Sequence, residues 1–200
     1  MDNIVLKNLK ARRSIYALGD KLTQSKAELT TLIQDVIKNS PSSFNSQSSR
    51  AVILFGEYHH KLWDIVKDEL RKIVPAENFG ATESKIDGCF RSGFGTVLYY
   101  EDQTVIKNLQ EQFAAYADNF PIWSEQSSGM AQLAVWTALA TENIGATLQH
   151  YNPVIDAAVA KEWNIPATWT LRAQMPFGSI EQPAQDKEFM ADSDRFIVHA

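Results

Sequence analysis

The chain has 200 residues, 44% of them hydrophobic and 22% charged, with a formal net charge of −5. That length and balance suit one soluble domain over residues 1–200 whose core needs no staples, and the acidic total gives no global field to recruit nucleic acid or an anionic membrane. The one cysteine, Cys89, excludes an intrachain disulfide. The start Met1-Asp2-Asn3 carries no basic-then-apolar leader, and no apolar run nears the ~20 residues that span a bilayer, so a reducing cytoplasm is the expected compartment.

Taken in chain order, Asn3 to Lys10 carries Ile4, Val5, Leu6 and Leu9 at helical spacing and ends at Arg12-Arg13. Ser25 and Glu28 form a capping box before a helix with Leu29, Leu32, Ile33, Val36 and Ile37 on one face, which stops before Pro41. Ser40 to Ser49 is serine-rich but short, a functional loop rather than a linker. Ala51 to Phe55 reads as a buried strand. Tyr58 to Val74 has helical spacing closed by Pro75, and a further helix is expected over Phe79 to Arg91. Gly95 to Tyr100 predicts a second strand and Val105 to Tyr116 a helix.

The longest helical pattern, Gln126 to Asn143, is apolar nearly all round, as expected of a central buried helix, with Gly145 ending it. After a connection from Ala146 to Tyr151, Pro153 opens a helix running through Lys161. Thr168 to Phe177 alternates as a strand that Gly178 and Pro183 end. The tail from Asp186 is polar and closes on Phe196-Ile197-Val198, a short candidate strand. The whole predicts an α+β domain, a central sheet covered by helices.

Two polar segments carry the chemistry. Arg12-Arg13-Ser14 sets two guanidiniums and a hydroxyl at a helix end, where they either merely favour the helix C-terminus or fork onto phosphate oxygens. Pro41-Ser42-Ser43-Phe44-Asn45-Ser46-Gln47 is a run of small hydrogen-bonding side chains suited to a polar ring edge. A phosphate-bearing heteroaromatic ligand fits both. Phe113, Tyr116, Phe120 and Trp123 around Pro121 are either a packed helix corner or the wall of a slot for a planar ring. Gly145 to Pro153 is either a plain connection or a loop whose N–H groups, with Gln149 and His150, face a ring nitrogen. Lys187 and Arg195 belong either to a solvated tail or to a phosphate clamp folded back on Arg12.

Other chemistries lack their residues. Adjacent His59 and His60 point about 100° apart on a helix and cannot share a metal ion; with Glu57 they read as a solvated helix start, and no zinc constellation appears. There is no Gly-x-Ser-x-Gly elbow, no P-loop and no Gly-x-Gly-x-x-Gly after a strand. Cys89 reads as a small core residue rather than a reactive thiol.

The ordered set of Arg12-Arg13-Ser14, Pro41-Ser42-Ser43-x-Asn45-Ser46-Gln47 and a basic residue near the C-terminus resembles the FMN-dependent nitroreductase family over nearly the whole chain. Tyr116-Ala117-Asp118-Asn119-Phe120-Pro121 and Leu148-Gln149-His150-Tyr151-Asn152-Pro153 are similar to its short branch of copper-induced bacterial nitroreductases and fungal fatty-acid-repression relatives.

The resemblance implies a mainly antiparallel sheet sandwiched by helices, in an intertwined homodimer with two FMN sites at the interface. It implies that Arg12, Arg13 and Ser14 hold the ribityl phosphate with Arg195 and Lys187. Ser42, Ser43 and Asn45, supported by Gln47, approach the flavin from the other subunit. Leu148, Gln149 and His150 lie near N5. Phe44, Tyr116, Phe120 and Trp123 face an aromatic substrate.

Tyr16 departs from the family, where a cation commonly stands near flavin N1 and the C2 carbonyl; Lys85 is the substitute on offer. Ser48 stands where the family usually has proline. The implied activity is ping-pong transfer from NADH or NADPH to nitroaromatics or quinones, with the chemistry at flavin N5 and no catalytic side chain. The alternative is a flavin-binding stress-response or regulatory protein with little turnover. No metal, nucleic acid or membrane partner is expected.

Overall fold

A computed structural model describes residues Asp2 to His199. Its centre is β3 (Gly95–Asp102), paired antiparallel on one side with β2 (Ser49–Phe55) and on the other with β5 (Trp169–Ile180). The outer edge of β5 carries two short partners, β1 (Leu18–Gly19) and β4 (Gly145–Ala146), also antiparallel. The mainly antiparallel sheet is therefore as expected.

Period-2 alternation along β3 builds two cores. Val97 and Tyr99 face one layer with Leu29 and Ile33 of α2 (Lys26–Asn39) and Val135 and Leu139 of α6 (Phe120–Thr141). Leu98 and Tyr100 face the other, with Leu62, Trp63 and Val66 of α3 (Glu57–Arg71), Ile86 of α4 (Ala76–Ile86) and Val159 of α7 (Asp156–Trp163). Each fully buried large side chain contributes about 1.5–3 kcal/mol. The register slips between Tyr99 and Tyr100, leaving Arg172 as an extra residue in β5. Leu171 and Ala173 therefore join opposite cores.

The Ser25–Glu28 capping box forms as read, with both reciprocal bonds present. The expected helix over Phe79 to Arg91 is instead α4 followed by a π-helical turn, Asp87–Arg91. Lys67 and Arg91 brace that turn through Asp64 and Asp87. The helix expected over Val105 to Tyr116 is α5 (Gln103–Gln112), capped by Asp102, and a 3-10 segment, Ala114–Asn119.

Several boundaries are corrected. The central helix starts at Phe120 rather than Gln126, because Pro121 lies in its first turn, where proline costs no hydrogen bond. β5 passes through Gly178 to Ile180: the glycine lets the strand close on β1, since a Cβ there would run into the Gly19 carbonyl. The helix expected from Pro153 is α7, beginning at Asp156. Phe196 to Val198 form no strand and are exposed. Ahead of β1 lies α1 (Ile4–Ala11), capped by Asn3, with none of its residues buried.

Candidate functional site

α1 ends at Arg12, whose extended backbone turns the chain out of the helix. The Arg12 guanidinium lies 4.3 Å over the Trp136 ring of α6. The Trp136 indole donates to the Ala146 carbonyl at 3.1 Å, and that same carbonyl accepts from the Ile15 N–H at 3.0 Å. One indole thus ties the arginine, the segment after it and β4 together. Arg12 Nε is buried without a partner, and burial, then the neighbouring Arg13 charge, lowers the pKa of Arg12. Arg13 Nη2 donates to the Gln185 carbonyl, and a cavity of about 380 Å³ opens between Arg13, Ser14 and Tyr16 on one wall and Gln182 to Asp186 on the other.

Along the edge of β5 runs the stretch after β4. The Thr147 N–H donates to the Pro176 carbonyl at 3.2 Å, and Gln149 exchanges backbone bonds with Gln174 at 2.7 and 2.9 Å. Those bonds bring Ala146 to His150 up beside Ser14, which bridges Ala146. Leu148 packs on the first core, Gln149 Nε2 donates to Thr147 Oγ1, and His150 is exposed.

On the other flank Tyr16 meets Phe90 at 6.4 Å between centroids, Tyr151 packs on the same ring, and Lys85 Nζ stands 6.0 Å over it. Burial pushes the Tyr151 hydroxyl up to about 12. The structure therefore brings Arg12, Arg13, Ser14 and Tyr16 together with the 148–150 segment, and places Lys85 near the Phe90 ring that Tyr16 also meets.

The turn that carries Phe90 is held by His59 through the Arg91 carbonyl, which corrects the reading of His59-His60 as a solvated helix start. His60 does sit near Glu57 at the surface, but His59 is fully buried. Its Nε2 is 3.1 Å from the Arg91 carbonyl, which can only accept, so Nε2 carries the proton and Nδ1 accepts from Thr96 Oγ1 at 2.8 Å. Thr96 in turn accepts from the Trp63 indole at 3.1 Å. Burial takes the His59 pKa down to about 4 and keeps the ring neutral.

The Ser42–Gln47 loop lies elsewhere on the same chain. Ser43 N–H reaches Ser127 Oγ of α6 at 3.4 Å, whereas Arg12 sits on Trp136 of the same helix. Nine residues of helix separate these two contacts, about 14 Å along the axis. The loop closes on itself: Asn45 N–H donates to the Ser42 carbonyl and Gln47 N–H to Ser42 Oγ, both at 3.0 Å.

Phe44, Asn45 and Gln47 all have positive φ, at 55°, 49° and 48°. The Phe44 ring is surrounded by Phe113, Phe120, Tyr116 and Trp123 at centroid distances of 4.9 to 6.1 Å. The four aromatic residues first read as a corner or a wall are thus packed around Phe44, with Phe113, Tyr116 and Phe44 still largely exposed.

Lys187 and Arg195 lie in the exposed tail, over the rings of their own neighbours Phe189 and Phe196. Trp136 and Phe90 shape this region although the sequence reading passed over them, because each is an aromatic residue inside an expected helical pattern. Among the described residues, no group of three or more His, Cys, Asp or Glu side chains could hold a metal ion, and no helix is long and apolar enough to cross a membrane.

The chain as a whole is similar to known proteins. The chain is 54% identical to nitroreductase CinD from Lactococcus lactis, solved in complex with 4-nitrophenol; the match covers 98% of this chain and all of that one, with a TM-score of 0.89. Nitroreductase FRM2 of Saccharomyces cerevisiae is 32% identical over 181 residues, 90% of this chain and 89% of that protein. A nitroreductase with bound FMN from Desulfitobacterium hafniense shares the fold over both full chains at a TM-score of 0.72 and 14% identity. The nitroreductase family profile matches residues 9–179. With its antiparallel sheet, its Arg12–Ser14 end and its match over most of its length, this chain belongs to the nitroreductase family.

Proposed function

We propose that residues 1–200 form a single FMN-binding domain that works as a homodimer, moving reducing equivalents from NADH or NADPH to nitroaromatic or quinone acceptors in a ping-pong cycle. The observation that carries the reading is the half-buried Arg12, with an unpartnered Nε and a second guanidinium beside it. Two neighbouring cations, one of them already partly desolvated, favour an anion, and a phosphate supplies the oxygens for both forks. Ser14 adds a hydroxyl at the same end, and the backbone after β4 runs from there towards His150, along the line a flavin ring would take.

Bound there, FMN supplies hydride chemistry at N5. The chain's own groups do the rest. Arg12, Arg13 and Ser14, joined by Arg195 and Lys187, hold the phosphate. Leu148, Gln149 and His150 line the ring, and Tyr16 with Lys85 flanks its pyrimidine edge, where the lysine favours negative charge. Ser42, Ser43, Asn45 and Gln47 serve the flavin of the other copy, because within one chain they sit about 14 Å down α6 from Arg12.

Dimerisation has further support in exposed apolar surface. Val5 and Leu9 of α1 and Met130, Leu133 and Ala134 of α6 line one open groove, and Ile197 and Val198 in the tail are 86% and 82% exposed. A second copy covering such surface removes a large unfavourable apolar area from water. Phe44, Tyr116, Phe120 and Trp123 then form one wall of the acceptor slot, which makes the relatives' 4-nitrophenol a natural class of ligand here.

The test is a visible spectrum of the purified protein, with its mass in solution, followed by NADH or NADPH under anaerobic conditions. Flavin absorbance near a dimer mass, bleached by the nicotinamide and restored by a nitroaromatic, is the expected result. A protein that neither carries nor takes up FMN would end this reading, and bound FMN that neither nicotinamide can reduce would favour the regulatory alternative.

A further inference from the structure

Glu101, at the carboxyl end of β3, has no exposed surface. Burying a carboxylate is costly unless its oxygens are satisfied. The nearby ion pairs are made by others, Arg50 with Asp102 and Arg172 with Glu125. Glu101 instead accepts two hydroxyls, from Ser48 at 2.6 Å and from Ser49. Burial raises its pKa, the two hydroxyls act the other way, and the Glu125 and Arg172 charges make smaller opposing contributions.

These two serines are consecutive. In a regular strand consecutive side chains point to opposite faces, so two neighbours can meet one carboxylate only where the chain is turning into the strand. That turn is the exit of the Ser42–Gln47 loop. Around the same point Asp102 N–H donates to the Ser48 carbonyl at 3.0 Å and Arg50 Nη1 to the Gln47 carbonyl at 2.6 Å.

The loop needs such fastening. A left-handed backbone is disfavoured for a residue with a Cβ, least so for asparagine, and Phe44, Asn45 and Gln47 adopt it within four positions. The aromatic box around Phe44 and the Ser127 contact hold the loop's entry. The exit rests on the hydroxyl pair at Glu101 and the backbone bonds beside it.

We propose that Glu101 is a positioning residue: by holding the Ser48 and Ser49 hydroxyls on its two oxygens, it fixes the strained Ser42–Gln47 backbone in the form presented to the flavin of the other copy. Its purpose rests on the FMN reading above; its geometry does not.

The experiment is amide hydrogen exchange by mass spectrometry on wild type and Glu101→Ala, with the protein as purified and without added flavin, paired with FMN titration and visible circular dichroism of the bound flavin. Loop amides of Asn45, Ser46 and Gln47 should exchange about tenfold faster in the variant while β2 and β3 keep their rates. FMN should dissociate about tenfold more readily and its visible dichroism should change. Glu101→Gln, which keeps one acceptor oxygen and the volume, should fall between the two.

Unchanged loop exchange, or exchange accelerated throughout the sheet, would overturn the proposal. So would a loosened loop with wild-type FMN affinity and dichroism. A loosened loop in a protein that never binds FMN would support the clip while ending the flavin reading. If Glu101→Ala does not fold, Ser49→Ala removes one donor, keeps the carboxylate, and is read in the same way.

Discussion

The Arg12–Ser14 end and the Ser42–Gln47 loop are both short and polar, and both lie against α6, but they are held by opposite means. The first is made by ordinary backbone: a helix stops, the chain extends, and Trp136 catches both a guanidinium and the Ala146 carbonyl. Its groups are partly unsatisfied, with a buried guanidinium nitrogen lacking a partner and two like charges side by side. The second is almost fully satisfied within the chain. Its N–H groups close on Ser42 and Ser43, its one large ring is boxed, and its exit is clipped to Glu101. Strain sits in the second region and unmet charge in the first. On the flavin reading proposed above, a ligand would gain most of its binding energy at the arginine end, while the loop would contribute shape that the protein has fixed in advance.

Acid should separate the two regions most strongly. The wall beside Tyr16 stands on Phe90, whose turn is held by neutral His59. With a folded pKa of about 4 against 6.5 unfolded, the unfolded chain binds more protons between those values. Stability from this group is present above pH 6.5 and is lost as pH falls towards 4, by about 3 kcal/mol. Glu101 works in the opposite sense, since its raised pKa makes ionisation costlier in the folded state and acid relieves that cost. Urea unfolding at pH 7 and pH 4 should show a smaller acid loss in His59→Gln than in wild type; equal losses would place the acid sensitivity elsewhere.

Arg12→Ala tests the unmet charge. It should weaken FMN binding by about 2 kcal/mol, roughly 30-fold, measured by flavin titration. The melting temperature should change little, because the side chain contributes mainly its stack on Trp136. Equal FMN retention would remove Arg12 from the phosphate site.

The smallest effect sharpens the account of strain. Phe44→Ala and Phe44→Gly both delete the boxed ring, but only glycine relieves the φ of 55°. The glycine variant should be more stable by about 1 kcal/mol in chemical denaturation. A less stable glycine variant would mean that the left-handed turn costs this loop nothing.

Much of the fold was legible in local pattern. The Ser25–Glu28 box and the apolar runs of β2 and β3 each depend on residues close together in the chain, so their local pattern reports them directly. The placement of α6 was misjudged at its start, because Pro121 reads as a break when it is in fact a first-turn residue. His59 looked solvated because nothing near it in sequence announces Thr96 and Arg91. Trp136 looked like one more apolar residue on a buried helix.

The sequence by itself determined the family motifs, the α+β class and the chemical types at each end of the candidate site, because these follow from residue identity and from periods of two and 3.6, while the antiparallel order of the sheet came only with the family resemblance. Only the tertiary structure decided that Arg12 rests on Trp136 while Ser43 meets Ser127 farther along the same helix, that the Phe113–Trp123 aromatics box Phe44, and that a buried carboxylate at the end of β3 clips two consecutive serines. Each of these is a contact between distant parts of the chain, set by sheet register and helix packing, and neither leaves a local signature in the order of residues.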